Sequence, residues 1–80
     1  MPGQSFWGNH LVDFLLSQGL HKCEENAVET ILCFDCDDLL GKCAKIQQTK
    51  DKLPPAVAEF YLTEVLGIDV DLFWKYIQGK

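Results

Sequence analysis

All four cysteines of this 80-residue chain lie in one stretch, residues 23–46, with six of its twelve acidic residues. Their spacing is C-x9-C-x2-C-x6-C. Placed on a helix at about 100° per residue, the apolar residues of the stretch fall on one face. The stretch therefore predicts a long amphipathic helix against which shorter helices pack. The residues on its apolar face are Val28, Leu32, Cys36, Leu39, Cys43 and Ile46.

One part of this predicted helix does not fit the pattern. Phe34 falls on the opposite, polar face of the helical wheel. Asp35, Asp37 and Asp38 are weak helix formers that are better suited to caps. The sequence leaves open whether the helix runs straight through these residues or breaks there.

A helix is also predicted before this stretch. It runs to Gln18, with Ser5 or Asn9 as its N-cap, because both residue types accept hydrogen bonds from first-turn amides. Gly19 supplies the left-handed residue that ends many helices, and Leu20 after it can fold back onto the last turn. The sequence therefore predicts an amphipathic core helix with a defined stop.

Two more helices are predicted after residue 54. The first covers residues 55–66, because proline suits a first helical position, and Gly67 ends it. Asp69 caps the second. With no strand-like alternation bounded by turn residues, we predict an all-α single domain of residues 1–80 with four helices, or five if the central one breaks. The predicted buried face of the last helix consists of Val70, Phe73, Trp74 and Ile77.

Composition excludes several function classes. The chain is 48% hydrophobic and 24% charged, which is typical of a folded domain. Its net charge is −5 and its seven basic residues are all lysine, which argues against binding to nucleic acid. No apolar run approaches the roughly 20 residues of a membrane span. The first ten residues lack the basic region of a secretory signal, so we expect a cytoplasmic protein without membrane contact.

The cysteines permit two interpretations. Zinc is suggested by the CxxC spacing of Cys33 and Cys36, with Cys23 and either His21 or Cys43 completing the site. On a straight helix, however, Cys36 and Cys43 lie about 10.5 Å apart along the axis, too far to share one metal. Because cysteine is often buried, we favour core packing. The alternative is a zinc-binding or thiol redox-switch protein centred on His21, Cys23, Cys33 and Cys36.

Disulfides fit the predicted fold poorly. No other predicted helix carries a cysteine, so a bridge could not link the central helix to its neighbours. Within an intact helix only Cys33 and Cys36 are close enough to pair, and their loop is too short to stabilise the chain much. A disulfide framework is therefore not expected.

Sequence motifs for catalysis are absent. His10 and His21 lie in no pattern that pairs a histidine with a nucleophile and an orienting acid. The three aspartates at 35, 37 and 38 do not match a calcium-binding loop, and no phosphate-binding glycine motif occurs. We therefore expect no enzyme and no cofactor.

Two aromatic residues at polar positions give the functional hypothesis. Phe34 and Phe60 both fall on polar faces of their predicted helices, either buried by a neighbouring helix or exposed as anchors for a partner. We predict a small acidic helical protein-binding module, acting as an adaptor or inhibitor on a partner protein with a basic surface. The sequence also allows a homodimer. The predicted partner-binding residues are Phe34, Asp35, Asp37, Asp38, Glu59, Phe60 and Glu64.

One resemblance agrees with this hypothesis. The segment LVDFLLSQGL followed by EENAVETI resembles the second and third helices of death-fold domains such as the caspase-recruitment type. The resemblance covers only this part of the chain, and the chain has no arginine for the charged interfaces of that family. It implies a helical bundle with a protein-interaction role.

Overall fold

The computed structural model describes residues 3–37, 41–48 and 51–79. Three strands in these ranges form one antiparallel sheet in the order β1-β2-β3. The fold is therefore α+β, and the predicted all-α fold is wrong. The elements in chain order are helix α1 (Gly8–Ser17), strands β1 (His21–Glu25), β2 (Glu29–Cys33) and β3 (Cys43–Gln47), helix α2 (Pro55–Glu59), a π-helical segment (Phe60–Leu66) and helix α3 (Val70–Gln78).

The predicted central helix is replaced by this sheet. Along β2, Thr30 and Leu32 are fully buried, whereas Ile31 between them is only half-buried. In β3, Ala44 and Ile46 are fully buried. Side chains that alternate between two faces belong to a strand, because successive Cβ atoms point to opposite sides of the sheet. Of the residues assigned to one helix face, Leu32 and Ile46 lie on the inner face of the sheet, whereas Val28 is 67% exposed between β1 and β2. Leu39 lies outside the described residues.

Asn26 closes the turn between β1 and β2. Its side-chain oxygen accepts hydrogen bonds from the backbone N–H groups of Val28 at 2.8 Å and Glu29 at 3.0 Å. Its own N–H donates to the carbonyl of Glu29 at 2.9 Å. Asparagine commonly forms such local turns. Because the segment EENAVETI contains this turn and parts of two strands, the resemblance to a death-fold helix does not hold.

A β-bulge at Cys23 sets the side chains of the edge strand. The register with β2 shifts just after Lys22, so Cys23 is the extra residue. Lys22 and Glu25 then face the same side and form an ion pair at 3.4 Å. The buried Thr30 hydroxyl donates to Glu25 at 3.3 Å and accepts from the Gln48 side chain at 3.0 Å. These hydrogen bonds satisfy the Thr30 hydroxyl, which would otherwise be buried without a partner.

The predicted end of α1 is confirmed. Gly19 has a positive φ of 98°, which glycine adopts without strain. The N–H of Gly19 donates to Leu16 O at 3.3 Å, and that of Leu20 donates to Leu15 O at 3.1 Å. These two bonds form the Schellman motif that the sequence indicated.

The predicted start of α1 is wrong. Trp7 occupies the N-cap position without a side-chain capping bond, so neither Ser5 nor Asn9 caps the helix. The helix begins instead at Gly8, beside the end of β3. A Cβ atom added there would lie 2.7 Å from the Gln47 carbonyl oxygen. Glycine at this position allows the close approach of helix and strand.

The C-terminal helical segments agree with the prediction. Residues 55–66 are helical, although the second part is π-helical, and Gly67 ends them with a φ of 72°. The N–H of Ile68 donates to Leu62 O at 2.6 Å. Asp69 caps α3 as predicted, since its side chain accepts from the Asp71 N–H at 3.0 Å. Local capping interactions therefore determine where the helical segment of residues 55–66 ends and where α3 begins.

The core lies between the inner face of the sheet and the helices. Helix α1 contacts all three strands and also packs against α3. The backbone groups of Phe6 exchange hydrogen bonds with those of Leu53 at 3.0 and 2.7 Å, which joins the N-terminal segment to the chain before α2. Within the described ranges, no helix is long and apolar enough to cross a membrane. The aromatic residues of this core are Phe6, Phe14, Phe73 and Trp74.

Candidate partner-binding surface

The helix that follows Pro54 changes its winding at Phe60. The N–H of Gly67 donates to the carbonyl of Leu62, five residues earlier, as in a π-helix. Ala58, Leu62 and Leu66 are buried on one side of the combined helix, whereas Phe60 lies outside the core. π-helical turns are rare and occur frequently at functional sites. The unusual backbone therefore coincides with an exposed aromatic residue.

Phe60 is the most exposed aromatic residue among those described, with 54% of its surface accessible. Its ring packs edge-on against Tyr61, with centroids 5.4 Å apart, which holds it against the helix. Around it lies a shallow depression, which we call the Phe60 surface. The residues that form this surface are Glu59, Phe60, Thr63, Glu64 and Val70.

The Phe60 surface combines an apolar ring with two carboxylates. Glu59 and Glu64 are exposed, and both belong to the set predicted from the sequence. Val70, the first residue of α3, supplies a half-buried apolar contact. An exposed apolar anchor with a charged rim is typical of protein interfaces. The three predicted residues Glu59, Phe60 and Glu64 are therefore neighbours on one surface.

Of the other predicted residues, Phe34, Asp35 and Asp37 lie in the loop after β2. Phe34 is 42% exposed and shares a second depression with Asp35, Gly41 and Lys42. The Asp35 carboxylate accepts from the backbone N–H of Asp37 at 2.9 Å, which is a turn-forming role. This depression includes a lysine, so it is less acidic than the sequence suggested. Asp38 lies outside the described residues.

All four cysteines are paired in disulfides, contrary to the expectation from the sequence. Cys33 and Cys43 are directly opposite each other on β2 and β3, with Cα atoms 4.2 Å apart. Cys23 and Cys36 link the bulge in β1 to the loop after β2, with Cα atoms 5.2 Å apart. The prediction failed because it placed the four residues on one helix, where these pairs cannot meet.

The residues proposed for zinc are divided between these two bridges. Cys23 and Cys33 belong to different disulfides, and His21 lies opposite Cys33 on the edge strand. Cys36 and Cys43, assigned to a buried helical face, are exposed and half-buried respectively, whereas Cys33 is fully buried. In the parts of the chain that the structure describes, no group of three potential metal ligands occurs. With their sulfurs bonded to each other, the cysteines offer no thiolate to a metal.

Comparisons with protein-family models, with curated proteins and with solved structures found no match to this chain. The functional interpretation therefore depends on the geometry of the chain itself.

Proposed function

We propose that this acidic α+β domain acts by binding another protein, as an adaptor or inhibitor, through the Phe60 surface. The observation that carries the proposal is the exposed Phe60 ring between two glutamates on a π-helical segment. Leaving such a ring in water forgoes the stabilisation that its burial would provide. A bound partner that covers the ring recovers this free energy.

The chemistry of the surface specifies the partner. Glu59 and Glu64 favour a lysine- or arginine-rich rim, and the net charge of −5 steers a basic partner toward the domain. The Phe60 ring requires an apolar pocket or groove, because a few aromatic anchors contribute most of the free energy at typical interfaces. We therefore infer a basic protein with an apolar recess as the partner.

The paired cysteines also favour an oxidising compartment. Disulfides persist in secreted and extracellular proteins and are rare in the cytosol. Two bridges in an 80-residue chain are consistent with a small domain that needs cross-links for stability. On this ground we propose an oxidising environment in place of the cytoplasm expected from the sequence.

A zinc-binding or thiol redox-switch protein is the alternative, and zinc binding needs a different state of the cysteines. Thiolate ligands become available only when at least one bridge is reduced. The reduced protein is therefore the form in which zinc binding has to be measured.

Substitution of Phe60 tests the proposed interface. Peptides are selected from a random displayed library on the wild-type domain, with excess soluble Phe60→Ser variant as the competitor. We expect the selected peptides to carry lysine or arginine beside an apolar residue. Each peptide should bind wild type roughly 30-fold more tightly than the variant, because loss of a central aromatic anchor costs about 2 kcal/mol. Fluorescence anisotropy with labelled peptides gives both dissociation constants.

Leu72→Ser is the matched control, because Leu72 is 47% exposed and lies outside the Phe60 surface. This variant should bind the selected peptides as wild type does. Glu59→Gln with Glu64→Gln should weaken binding mainly at low salt, where charges are screened least. If no peptide survives competition with the Phe60→Ser variant, or if the peptides bind both proteins equally, the proposed surface is wrong. Thermal unfolding of Phe60→Ser checks that the fold is intact.

A further inference from the structure

The two disulfides differ in their accessibility. In the Cys33–Cys43 bridge, Cys33 is 0% exposed and Cys43 is half-buried. In the Cys23–Cys36 bridge, Cys36 is exposed and Cys23 is half-buried. Thiol–disulfide exchange requires a thiolate to reach a sulfur atom, so access controls which bridge reacts. The Cys23–Cys36 bridge presents its Cys36 side to solvent.

The two bridges also have different positions in the fold. Cys33 and Cys43 face each other within the paired register of β2 and β3, so their strands remain hydrogen-bonded if the bond opens. Cys23 is instead the bulged residue of the edge strand, and Cys36 lies in the loop beyond the end of β2. The second bridge therefore joins two parts of the chain that are not paired at these residues.

Phe34 lies between the two linkages in sequence. It follows Cys33, which is held to β3, and precedes by two residues Cys36, which is held to β1. Opening the Cys23–Cys36 bond would free one end of the segment containing Phe34 while the other end stays fixed at Cys33. The Cys23–Cys36 bond therefore links the segment that contains the exposed Phe34 to β1.

We propose that Cys23–Cys36 is a thiol–disulfide exchange site for an external dithiol, and that Cys33–Cys43 is a structural cross-link. One thiolate of the dithiol attacks Cys36 Sγ and forms a mixed disulfide, while Cys23 leaves as a thiolate and takes up a proton. The second thiol of the dithiol, as its thiolate, then attacks the mixed disulfide and releases Cys36, which is protonated in turn. Two electrons and two protons pass from the dithiol to the two cysteines, and the dithiol becomes a disulfide.

The natural co-reactant in this reaction is a protein with two neighbouring cysteines on an accessible surface. Such dithiol proteins reduce accessible protein disulfides through a mixed-disulfide intermediate. This inference is independent of the proposed partner at the Phe60 surface, because it concerns different residues and a covalent reaction.

Reduction kinetics of the oxidised 80-residue chain test the assignment. Dithiothreitol is added without denaturant, samples are quenched with iodoacetamide, and peptide mass spectrometry locates the alkylated cysteines. We expect Cys23 and Cys36 to be alkylated together, at least about tenfold faster than Cys33 and Cys43, because Cys36 is exposed in the folded state whereas Cys33 is fully buried. Equal rates for all four cysteines, or faster reaction of Cys33 and Cys43, would overturn the proposal.

Trapping the intermediate identifies the attacked sulfur. A CxxC oxidoreductase whose second cysteine is replaced by serine cannot complete the exchange, so it should remain attached to Cys36. Attachment to Cys33 or Cys43, or the lack of any adduct, would contradict the proposal. The Cys23→Ser, Cys36→Ser double variant provides the control: it should lose the fast phase and form no adduct. If this variant still reacts rapidly, the fast phase belongs to the other bridge.

Discussion

Replacing Phe73 with alanine is expected to lower the free energy of unfolding by about 3–5 kcal/mol, the range for deleting a large aromatic side chain from a core. Phe73 is fully buried in α3. Its ring centroid lies 5.1 Å from that of Phe6, 5.3 Å from that of Phe14 and 5.1 Å from that of Trp74. Alanine would remove the ring that joins these contacts. Because small domains have little stability to lose, the variant should be close to unfolding.

The neighbouring residue provides the control for this prediction. Leu72 is on the same helix but 47% exposed, so Leu72→Ala should change the free energy of unfolding by no more than about 1 kcal/mol. Urea denaturation followed by far-ultraviolet circular dichroism measures both variants. The midpoint temperature of Phe73→Ala should also fall by at least about 12 °C, since each kcal/mol shifts it by about 4–8 °C in domains of this size. Equal losses in the two variants would show that Phe73 is not at the centre of the core.

Removing the Cys33–Cys43 bridge is expected to lower the free energy of unfolding by about 3 kcal/mol or more. In the chain-entropy description, a bridge closing a loop of this length stabilises a protein by about 3 kcal/mol. The sequence separation is 10 residues, and Cys33 is fully buried. A double variant, Cys33→Ala with Cys43→Ala, also removes packing around the Cys33 sulfur. Denaturation in the absence of reductant gives the difference from wild type.

The Cys23–Cys36 bridge allows the contribution of loop closure to be distinguished from the contribution of packing around the sulfur. Cys23 and Cys36 are 13 residues apart, so their loop closure should contribute a similar entropic stabilisation. Cys36 is exposed, however, and its replacement leaves no buried cavity. Cys23→Ala with Cys36→Ala should therefore destabilise the protein less than the Cys33 and Cys43 double variant. A larger loss from the exposed pair, or a loss below about 1 kcal/mol from the buried pair, would contradict the assigned structural role.

The helices were predictable because their signals are local. Gly19 and Gly67 end their helices with positive φ values, and Asp69 caps α3, as capping chemistry indicated. Each of these signals involves only a few consecutive residues. The cap of α1 was not predictable in this way, because its start is determined by packing of Gly8 against the end of β3.

The sheet could not be derived from periodicity alone. Each strand is five residues long, and so short a pattern of apolar residues fits a helix as well as a strand. Leu32 and Ile46 are buried in either arrangement. Two signals for strands were present: the alternation Ala44-Lys45-Ile46-Gln47 and the β-branched residues Thr30 and Ile31. The sheet depends on hydrogen-bonded pairing between strands that are distant in the sequence, and a helical wheel does not represent such pairing.

The error in the cysteines followed from the error in the helix. Disulfides were rejected because Cys23, Cys33, Cys36 and Cys43 were placed on one rigid helix. In the sheet, Cys33 and Cys43 are separated by ten positions along the chain and yet lie directly opposite each other. An even number of cysteines in a short chain was itself a signal for bridges.

The helical wheel that pointed to Phe60 and Phe34 as aromatic anchors is valid for only one of them. Phe60 lies on a real helical segment, and its exposure is one of the two outcomes that its position away from the apolar face left open. Phe34 is also exposed, but it belongs to a loop, so the helical wheel that singled it out does not apply. The π winding at Phe60 was not predicted from the sequence.

The disulfide connectivity tests the central structural claim, the cross-linked sheet, most directly. Free thiols are first blocked, and the unreduced protein is then cleaved at lysine, glutamate and aspartate in mildly acidic buffer, which separates the four cysteines onto different peptides. Mass spectrometry should find TILCFD joined to CAK, and the peptide containing Cys23 joined to the one beginning at Cys36. Four blocked thiols, or a link from Cys23 to Cys33 or from Cys36 to Cys43, would contradict the sheet and its cross-links.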